Sequence, residues 1–285
     1  AGDHGGFYPA GYRTFMEALG ANGYKTGFTG KGWGPGDPGK VDGKARLLTG
    51  PAYSELKTTP PTSGISAVDY AANLAAFLKT KPADQPFCFW YGAHEPHRTY
   101  EYGSGVSVGH KSLAQIDRVP SFWPDTATVR NDMLDYALEI EYFDQQLGKM
   151  LDLLQKAGEL DNTIVIVTSD NGMPFPRVKG QIYEHGFHIP LAIRWGKNMG
   201  SGRSVDDFIN TRDFAPTMLE VAGVAKPATM TGKSFVDVLK SGKSGQVDAT
   251  RNVMIVCKER HDLGRPNDAG YPVRAIRTKE WLYVR

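Results

Sequence analysis

The chain is predicted to adopt an α/β fold with a mostly parallel central sheet and helices on both faces. Short apolar runs rich in β-branched residues alternate with stretches of helical periodicity, which is the pattern that this fold class produces. The clearest run, TIVIVT at 163–168, has no polar alternation, as expected of a strand buried on both faces. In addition, 33 glycines and 18 prolines among 285 residues favour many ordered loops over a helical bundle.

Strands are predicted for apolar segments that are bounded by turn residues. They cover 25–29, 86–91, 163–168, 189–195, 207–210 and 252–257, and a closing hairpin is predicted over 273–284. Cys88 and Cys257 fall in two of these strands, and we interpret both as buried residues that remain free thiols. Two long segments, 30–64 and 99–125, are predicted loops, which in compact domains are often functional.

Helices are predicted from apolar spacing and end signals. The longest covers 128–157 and stops at Gly158. Its predicted apolar face comprises Met133, Ala137, Ile140, Leu147, Leu151 and Leu154. Its acidic residues are interpreted mainly as a solvated face: Asp135, Glu139, Glu141 and Asp144. Another helix is predicted to begin at Ser66, with Asp69 in the capping-box position. Shorter helices are expected over 13–21, 212–222 and 234–239.

Composition excludes several classes of function. The chain is 40% hydrophobic and 22% charged, which is typical of a globular protein and of neither a disordered nor a membrane-spanning one. A formal net charge of +2 gives no electrostatic reason to expect a nucleic acid as partner. We find no signal peptide and no transmembrane span in the sequence.

Polar residues with binding chemistry follow the apolar run at 163–168. Asp170 and Asn171 come directly after it, and a Pro-rich loop then carries Arg177 and Lys179. The loop at a strand's carboxyl end is where ligands collect in α/β sheets. A carboxylate and an amide oxygen are hard donors suited to Ca²⁺ or Mg²⁺, and cations nearby suit an anionic substrate. The alternative, that Asp-Asn-Gly is only a turn, remains open.

Three separated motifs resemble those of one protein family. SDNG at 169–172 is followed by KGQIYEHG at 179–186 and by Pro190-Leu191, which fits the pattern K-x-x-x-Y-E-x-G-x-x-x-P-L. Upstream lie GYKTGFTGK at 23–31 and HEPHR at 94–98. This set of motifs resembles the sulfatase family of the alkaline-phosphatase-like superfamily, and the resemblance runs from about Gly11 to the C-terminus. The wording of HEPHR at 94–98 and of DNGMPFP at 170–176 is most similar to the N-sulfoglucosamine (heparan) sulfohydrolase branch.

The resemblance implies hydrolysis of a sulfate ester or sulfamate on a sugar that derives from a glycosaminoglycan. It implies Ca²⁺, with Mg²⁺ as an alternative, bound by Asp170 and Asn171. Two-zinc relatives would be expected to have His at the position of Asn171. The implied catalytic residues are Lys31, His94 and Lys179, the lysines neutralising the sulfate and the histidine acting as general acid. The implied sugar contacts are Trp33, His97, Arg98 and Arg177.

The sequence departs from the family pattern at three places. The family has Gly-Lys-x-His where this chain has Gly30-Lys31-Gly32-Trp33, so stacking on a sugar ring is the expected role of Trp33. The family nucleophile is a formylglycine made from the Cys or Ser of C/S-x-P-S-R, and no such motif occurs in these residues. No Asp-Asp pair precedes the lysine motif, and Asp206-Asp207 comes too late to replace it.

These departures lead us to expect a single partial sulfatase-like domain over 1–285. Its N-terminal catalytic segment and C-terminal subdomain would be missing or incomplete, and the isolated chain would show no turnover. By resemblance, the compartment would be periplasmic, secreted or lysosomal. Two alternatives remain: a phosphate or phosphonate ester hydrolase of the same superfamily, and a non-catalytic fragment that binds sulfated sugars.

Overall fold

The computed structural model describes residues 6–34, 36–259 and 266–285. Within this part of the chain the α-helices are α1 (Phe15–Ala21), α2 (Tyr70–Lys79), α3 (Ser104–Ser107), α4 (Ala127–Lys156), α5 (Glu184–Phe187), α6 (Phe214–Val221) and α7 (Val236–Lys240). The strands are β1 (Lys25–Gly30), β2 (Lys40–Val41), β3 (Lys44–Ala45), β4 (Phe87–Gly92), β5 (Val165–Thr168), β6 (Leu191–Arg194), β7 (Val253–Lys258), β8 (Val273–Thr278) and β9 (Leu282–Val284). None of the helices among the described residues has the length and apolar character needed to cross a bilayer.

The chain divides into two compact units. Unit 1 comprises Ala1–Tyr24, Trp33–Thr49 and Gly158–Arg285, and unit 2 comprises Lys25–Gly32 and Gly50–Ala157. The prediction of one partial domain over the whole chain stays a prediction.

Unit 2 is built on a parallel strand pair covered by helices. β1 pairs with β4 in register from Lys25 opposite Phe87 to Gly30 opposite Gly92. Helices α2 and α4 pack together, and the core contains Tyr70 and Phe77, each 0% exposed. Both strands end at the same edge, so the residues that follow them emerge side by side.

The start of α2 differs from the sequence prediction. Asp69 is the N-cap, and its carboxylate accepts a hydrogen bond of 3.0 Å from the Ala72 N–H. Ser66, predicted to be the cap, instead accepts a bond of 3.2 Å from the Val68 N–H in the preceding turn. The predicted start at Ser66 was wrong because this local serine turn replaces the first helical turn.

The longest helix also buries a different face from the one predicted. Its buried residues are Leu134, Asp135, Leu138, Glu139, Tyr142, Gln146, Met150 and Leu154. Ile140, assigned to the apolar face, is 40% exposed. Asp135 and Glu139 are only 1% and 2% exposed, so their assignment to a solvated face was wrong, whereas Glu141 and Asp144 are exposed as predicted.

Among its described residues, unit 1 contains three antiparallel strand groups, of which β2 with β3 is a short two-residue pair. β5 pairs with β6, and β7, β8 and β9 form a three-stranded sheet that includes the predicted closing hairpin. Parallel pairing, predicted for most of the sheet, is therefore present between β1 and β4, whereas the other described strand pairs are antiparallel. The core beneath α6 and α7 includes Trp195 and Phe235. A buried ion pair of 2.9 Å joins Arg251 and Asp213 next to it.

Two further predictions in this region were wrong. Residues 207–210 do not form a strand, because the Asp207 carboxylate accepts the backbone N–H groups of Val247 and Asp248 at 2.7 and 2.6 Å and so holds the segment as a loop. Cys257 lies in β7 but is exposed, since its side of that strand is uncovered. Both cysteines are free, as predicted, and burial raises the pKa of Cys88 to about 12.

Candidate functional site

Two glycines allow β1 and β4 to end in close contact within unit 2. The Lys31 N–H donates a hydrogen bond of 2.6 Å to the Gly92 carbonyl. A Cβ atom at Gly92 would lie 1.9 Å from the Lys31 carbonyl oxygen, and one at Gly30 would lie 2.1 Å from the Gly92 oxygen. No side chain larger than hydrogen fits at either position, so these glycines determine where Lys31 leaves the strand.

Lys31 and His94 come together at this edge. Both side chains belong to exposed residues, and His94 follows the end of β4 by two positions. Partial burial lowers the pKa of His94, and the positive charge of Lys31 lowers it further, whereas Glu95 raises it. Among the described residues, the Lys31 ammonium has no hydrogen-bond acceptor or ion-pair partner. An ammonium and an imidazole next to each other form a place where an anion can bind.

The other two basic residues of the HEPHR motif make contacts within the protein. Arg98 forms a bidentate pair with Asp132, with nitrogen–oxygen distances of 2.8 and 2.5 Å, and its guanidinium lies 4.9 Å from the centre of the Tyr100 ring. The pairing with Asp132 raises the pKa of Arg98. The exposed His97 has its Nδ1 against the Arg98 carbonyl. Their predicted sugar contacts are untested by this geometry and stay predictions.

In unit 1, the SDNG turn packs against the turn that carries Lys179. The Gly172 N–H donates to the Gly186 carbonyl at 3.1 Å. A Cβ atom at Gly172 would lie 1.8 Å from the His185 carbonyl oxygen and 2.8 Å from Val178 Cγ1. Only glycine permits this approach, so the two motifs form one packed element within the unit.

Contacts with other residues of unit 1 fix the residues around Lys179. Val178 is 1% exposed, and Lys179 follows it directly. Arg177 has a left-handed backbone with φ of 66°, and its guanidinium lies 5.5 Å from the centre of the Tyr183 ring. The next residue, Glu184, accepts hydrogen bonds from Arg277 on β8 at 2.7 and 3.2 Å, and Arg277 thereby lowers the pKa of Glu184. The C-terminal sheet thus fixes the turn that carries Lys179.

Trp33 also lies in unit 1. Its backbone N–H donates to the Thr49 hydroxyl at 3.2 Å. Its ring meets Tyr8 edge-on, with ring centres 5.6 Å apart, and the residue is half-buried. A partly exposed indole has a face on which a sugar ring can stack, but that role remains a prediction.

The side chains of Asp170 and Asn171 carry the type of oxygen ligand that a hard cation prefers. Asp170 is exposed, and the amide nitrogen of Asn171 donates to the Gly172 carbonyl at 2.7 Å, which leaves its oxygen as the donor atom toward a ligand. Both are oxygen ligands of the sort that Ca²⁺ and Mg²⁺ prefer. Across residues 6–34, 36–259 and 266–285, no three His, Cys, Asp or Glu side chains form a group that could hold a metal ion. The pair would therefore supply only part of a coordination shell.

Sequence reasoning missed the supports of these residues. The Tyr70 hydroxyl bonds both the His94 backbone and the Glu95 carboxylate, and Arg277 donates to the carboxylate of Glu184. Glu95 belongs to the HEPHR motif. An acidic residue just after a predicted strand was therefore the signal in the sequence that could have indicated its role. Nothing in the sequence near Arg277 indicates its contact with a residue 93 positions away.

The strand pairs and the helices packed against them define the class as an α/β protein. A solved structure described as BT4656 in complex with its substrate D-glucosamine-2-N,6-O-disulfate aligns over 99% of this chain and 74% of its own, with a TM-score of 0.71. At 18% sequence identity this similarity concerns the fold. It confirms the fold class that the sequence predicts.

A family model described as Sulfatase matches residues 5–224, so the chain belongs to the sulfatase family. An ulvan-active sulfatase of Formosa agariphila is 31% identical over 167 residues, which are 59% of this chain and 26% of that protein. The N-sulphoglucosamine sulphohydrolase of Homo sapiens is 28% identical over 225 residues, 67% of this chain and 43% of that protein. The chain thus spans less than half the length of either relative. Membership of the family implies a metal ion and a formylglycine nucleophile.

Proposed function

We propose that this chain carries part of the machinery of a sulfatase that hydrolyses sulfate groups on sugars, with N- or O-sulfated glucosamine as the substrate class. The observation that carries the proposal is the pair Lys31 and His94 at the adjoining ends of parallel strands. The sugar class is supported by the human relative, named for N-sulphoglucosamine, and by the fold neighbour bound to a disulfated glucosamine.

In unit 2, Lys31 and His94 have complementary tasks. When the S–O or S–N bond breaks, the leaving oxygen or nitrogen must gain a proton, and the non-bridging sulfate oxygens keep their negative charge. Lys31 would hold those oxygens, and protonated His94 would supply the proton. Because the pKa of His94 lies below its ordinary value, its acid form is populated mainly in acidic solution. A bound sulfate would offset the charge of Lys31 and favour the protonated ring.

In unit 1, Lys179 would bind an anionic group, and Asp170 with Asn171 would bind Ca²⁺, with Mg²⁺ as the alternative. When bound, the cation would neutralise part of the negative charge of an anion held in this unit. Within unit 1, Trp33 and Arg177 would contact a sugar, and within unit 2, His97 and Arg98 would do so. The residues of this chain include no C/S-x-P-S-R motif, so we derive no nucleophilic step from them and expect no sulfate release by the chain alone.

Binding measurements on the 285-residue chain test this proposal. Glucosamine-2-N,6-O-disulfate is titrated by calorimetry with Ca²⁺ present, and unsulfated glucosamine and glucosamine 6-phosphate are the comparison ligands. Each charge-assisted hydrogen bond is worth about 1.5–3 kcal/mol, so Lys31→Met and Lys179→Met should each weaken binding about tenfold or more.

Lys149→Met, which changes an exposed lysine of α4 outside the motifs, is the matched control and should leave the affinity unchanged. Equal affinity for unsulfated glucosamine would contradict the proposal. Preference for the phosphorylated sugar would favour the phosphoester alternative. Sulfate release by the purified chain would contradict the expected lack of turnover.

A further inference from the structure

A chain of hydrogen bonds lies directly beneath His94. The His94 backbone N–H donates to the Tyr70 hydroxyl oxygen at 3.0 Å, and that hydroxyl donates to Glu95 Oε2 at 2.8 Å. The other carboxylate oxygen of Glu95 accepts the Ser66 N–H at 2.7 Å. One phenol can accept and donate at the same time, so the Tyr70 side chain holds both His94 and Glu95, which lie two and three positions after β4.

Tyr70 and Glu95 are buried, although His94, whose position they hold, is exposed. Tyr70 is 0% exposed and Glu95 is 5% exposed. Burial raises the pKa of the Tyr70 phenol, which therefore keeps the proton that it donates. A carboxylate in a protein core is costly unless hydrogen bonds satisfy it, and here one of them comes from the tyrosine that also binds His94.

We propose that Tyr70 and Glu95 are positioning residues that fix His94 beside Lys31. The proposal rests on the proposed function, in which His94 is the proton donor. Neither residue needs to contact the substrate. Tyr70 orients the backbone from which the imidazole projects, and Glu95 fixes the direction of the phenol.

The pKa of His94 reports the position of its ring, because nearby charges and burial shift that pKa. Lys31, His97 and Lys57 lower the pKa of the imidazole, Glu95 raises it, and partial burial has the largest effect of all, which is to lower it. If the loop were released, the ring would gain solvent and move away from Lys31. Its pKa would then rise toward the ordinary value.

The experiment is an NMR titration and amide exchange measurement on the full 285-residue chain. In Tyr70→Phe the His94 amide loses its acceptor, so we expect its hydrogen exchange to accelerate about tenfold or more and the His94 pKa to rise toward its ordinary value. Tyr142→Phe is the matched control: it removes a buried phenol that bonds Gln146 in the same core cluster, and it should change neither quantity.

A second variant keeps the proposal testable if Tyr70→Phe does not fold. Glu95→Gln replaces one carboxylate acceptor by an amide, so the His94 amide should exchange faster than in the wild type. Exchange is the deciding measurement for this variant, because loss of the Glu95 charge lowers the His94 pKa whereas release of the loop raises it. Unchanged exchange and unchanged pKa in the folded variants would overturn the proposal, as would equal effects in Tyr142→Phe.

Failure of the proposed function gives a different result. The substitution His94→Ala is made in a form of the protein that has sulfatase activity, and sulfate release from sulfated glucosamine is measured. An unchanged rate of release would show that His94 is not the proton donor. The exchange and titration results would still decide whether Tyr70 and Glu95 hold its position.

Discussion

Replacing Glu139 with glutamine should stabilise unit 2, and the gain should grow as pH rises. Glu139 is 2% exposed, and neither of its carboxylate oxygens has a hydrogen-bond partner among the described residues. Burial, with the nearby charges of Glu95 and Asp135, raises its pKa from 4.5 to about 8. The folded protein therefore keeps a proton on this side chain at neutral pH, where the unfolded chain has lost it.

The sign and the size follow from proton linkage. Between pH 4.5 and 8 the folded state binds more protons at this position than the unfolded state, so stability falls as pH rises through that window. Each pKa unit is worth about 1.4 kcal/mol, so the wild-type penalty is near zero below pH 4.5, about 3 kcal/mol at pH 7 and about 5 kcal/mol above pH 8. Glutamine has the same shape and does not titrate, so Glu139→Gln should recover most of these amounts.

The assay is hydrogen exchange of α4 amides, which reports the free energy of opening this helix separately from unit 1. Exchange is corrected for the intrinsic effect of pH and measured at pH 5 and pH 8. Asp144→Asn, an exposed carboxylate on the same helix, is the matched control and should give no pH-dependent gain. A Glu139→Gln effect that is equal at both pH values would refute the reasoning.

Two other substitutions test how the motifs of unit 1 are held. Gly172→Ala forces a Cβ atom into a carbonyl 1.8 Å away and should lower stability by about 1–3 kcal/mol in thermal melts, whereas Gly200→Ala, whose nearest atom would be 3.8 Å away, should not. Equal melting temperatures for the two variants would contradict this. Arg277→Met should cost about 1 kcal/mol in urea titrations at pH 7, because it removes the partner that lowers the pKa of Glu184. Glu184 contributes that stability only while ionised, so the cost should vanish as pH falls through its lowered pKa, and a loss that persists in acid would contradict the assignment.

The sequence predicted most of the strands and the end of the longest helix well because those signals are local. The Gly158 stop and the run at 163–168 depend on a few neighbouring residues, and they appear as the end of α4 and as β5. The buried face of α4 was missed because apolar periodicity assumes that polar residues face solvent. Asp135 and Glu139 lie on the buried face, while Ile140 is exposed, so the predicted stripe was rotated away from the real one.

The candidate site shows the same limit. Residue types revealed which side chains have binding chemistry, because a lysine, a histidine or an Asp-Asn pair has that chemistry in any fold. They could not reveal what holds these groups, since the contacts from Tyr70 to Glu95 and from Arg277 to Glu184 join residues 25 and 93 positions apart. Such pairings depend on tertiary structure, which a single sequence does not encode in any local pattern.

The two buried glutamates of unit 2 show why burial alone does not identify a positioning residue. Glu95 and Glu139 are almost equally inaccessible, at 5% and 2% exposed. Glu95 accepts two hydrogen bonds, one of them from the tyrosine that holds His94, so its carboxylate is satisfied where it lies. Glu139 has no described hydrogen-bond partner, and its raised pKa makes it a neutral acid at pH 7. Removing the charge of Glu95 should therefore disturb the position of His94, whereas removing that of Glu139 should chiefly relieve a desolvation penalty.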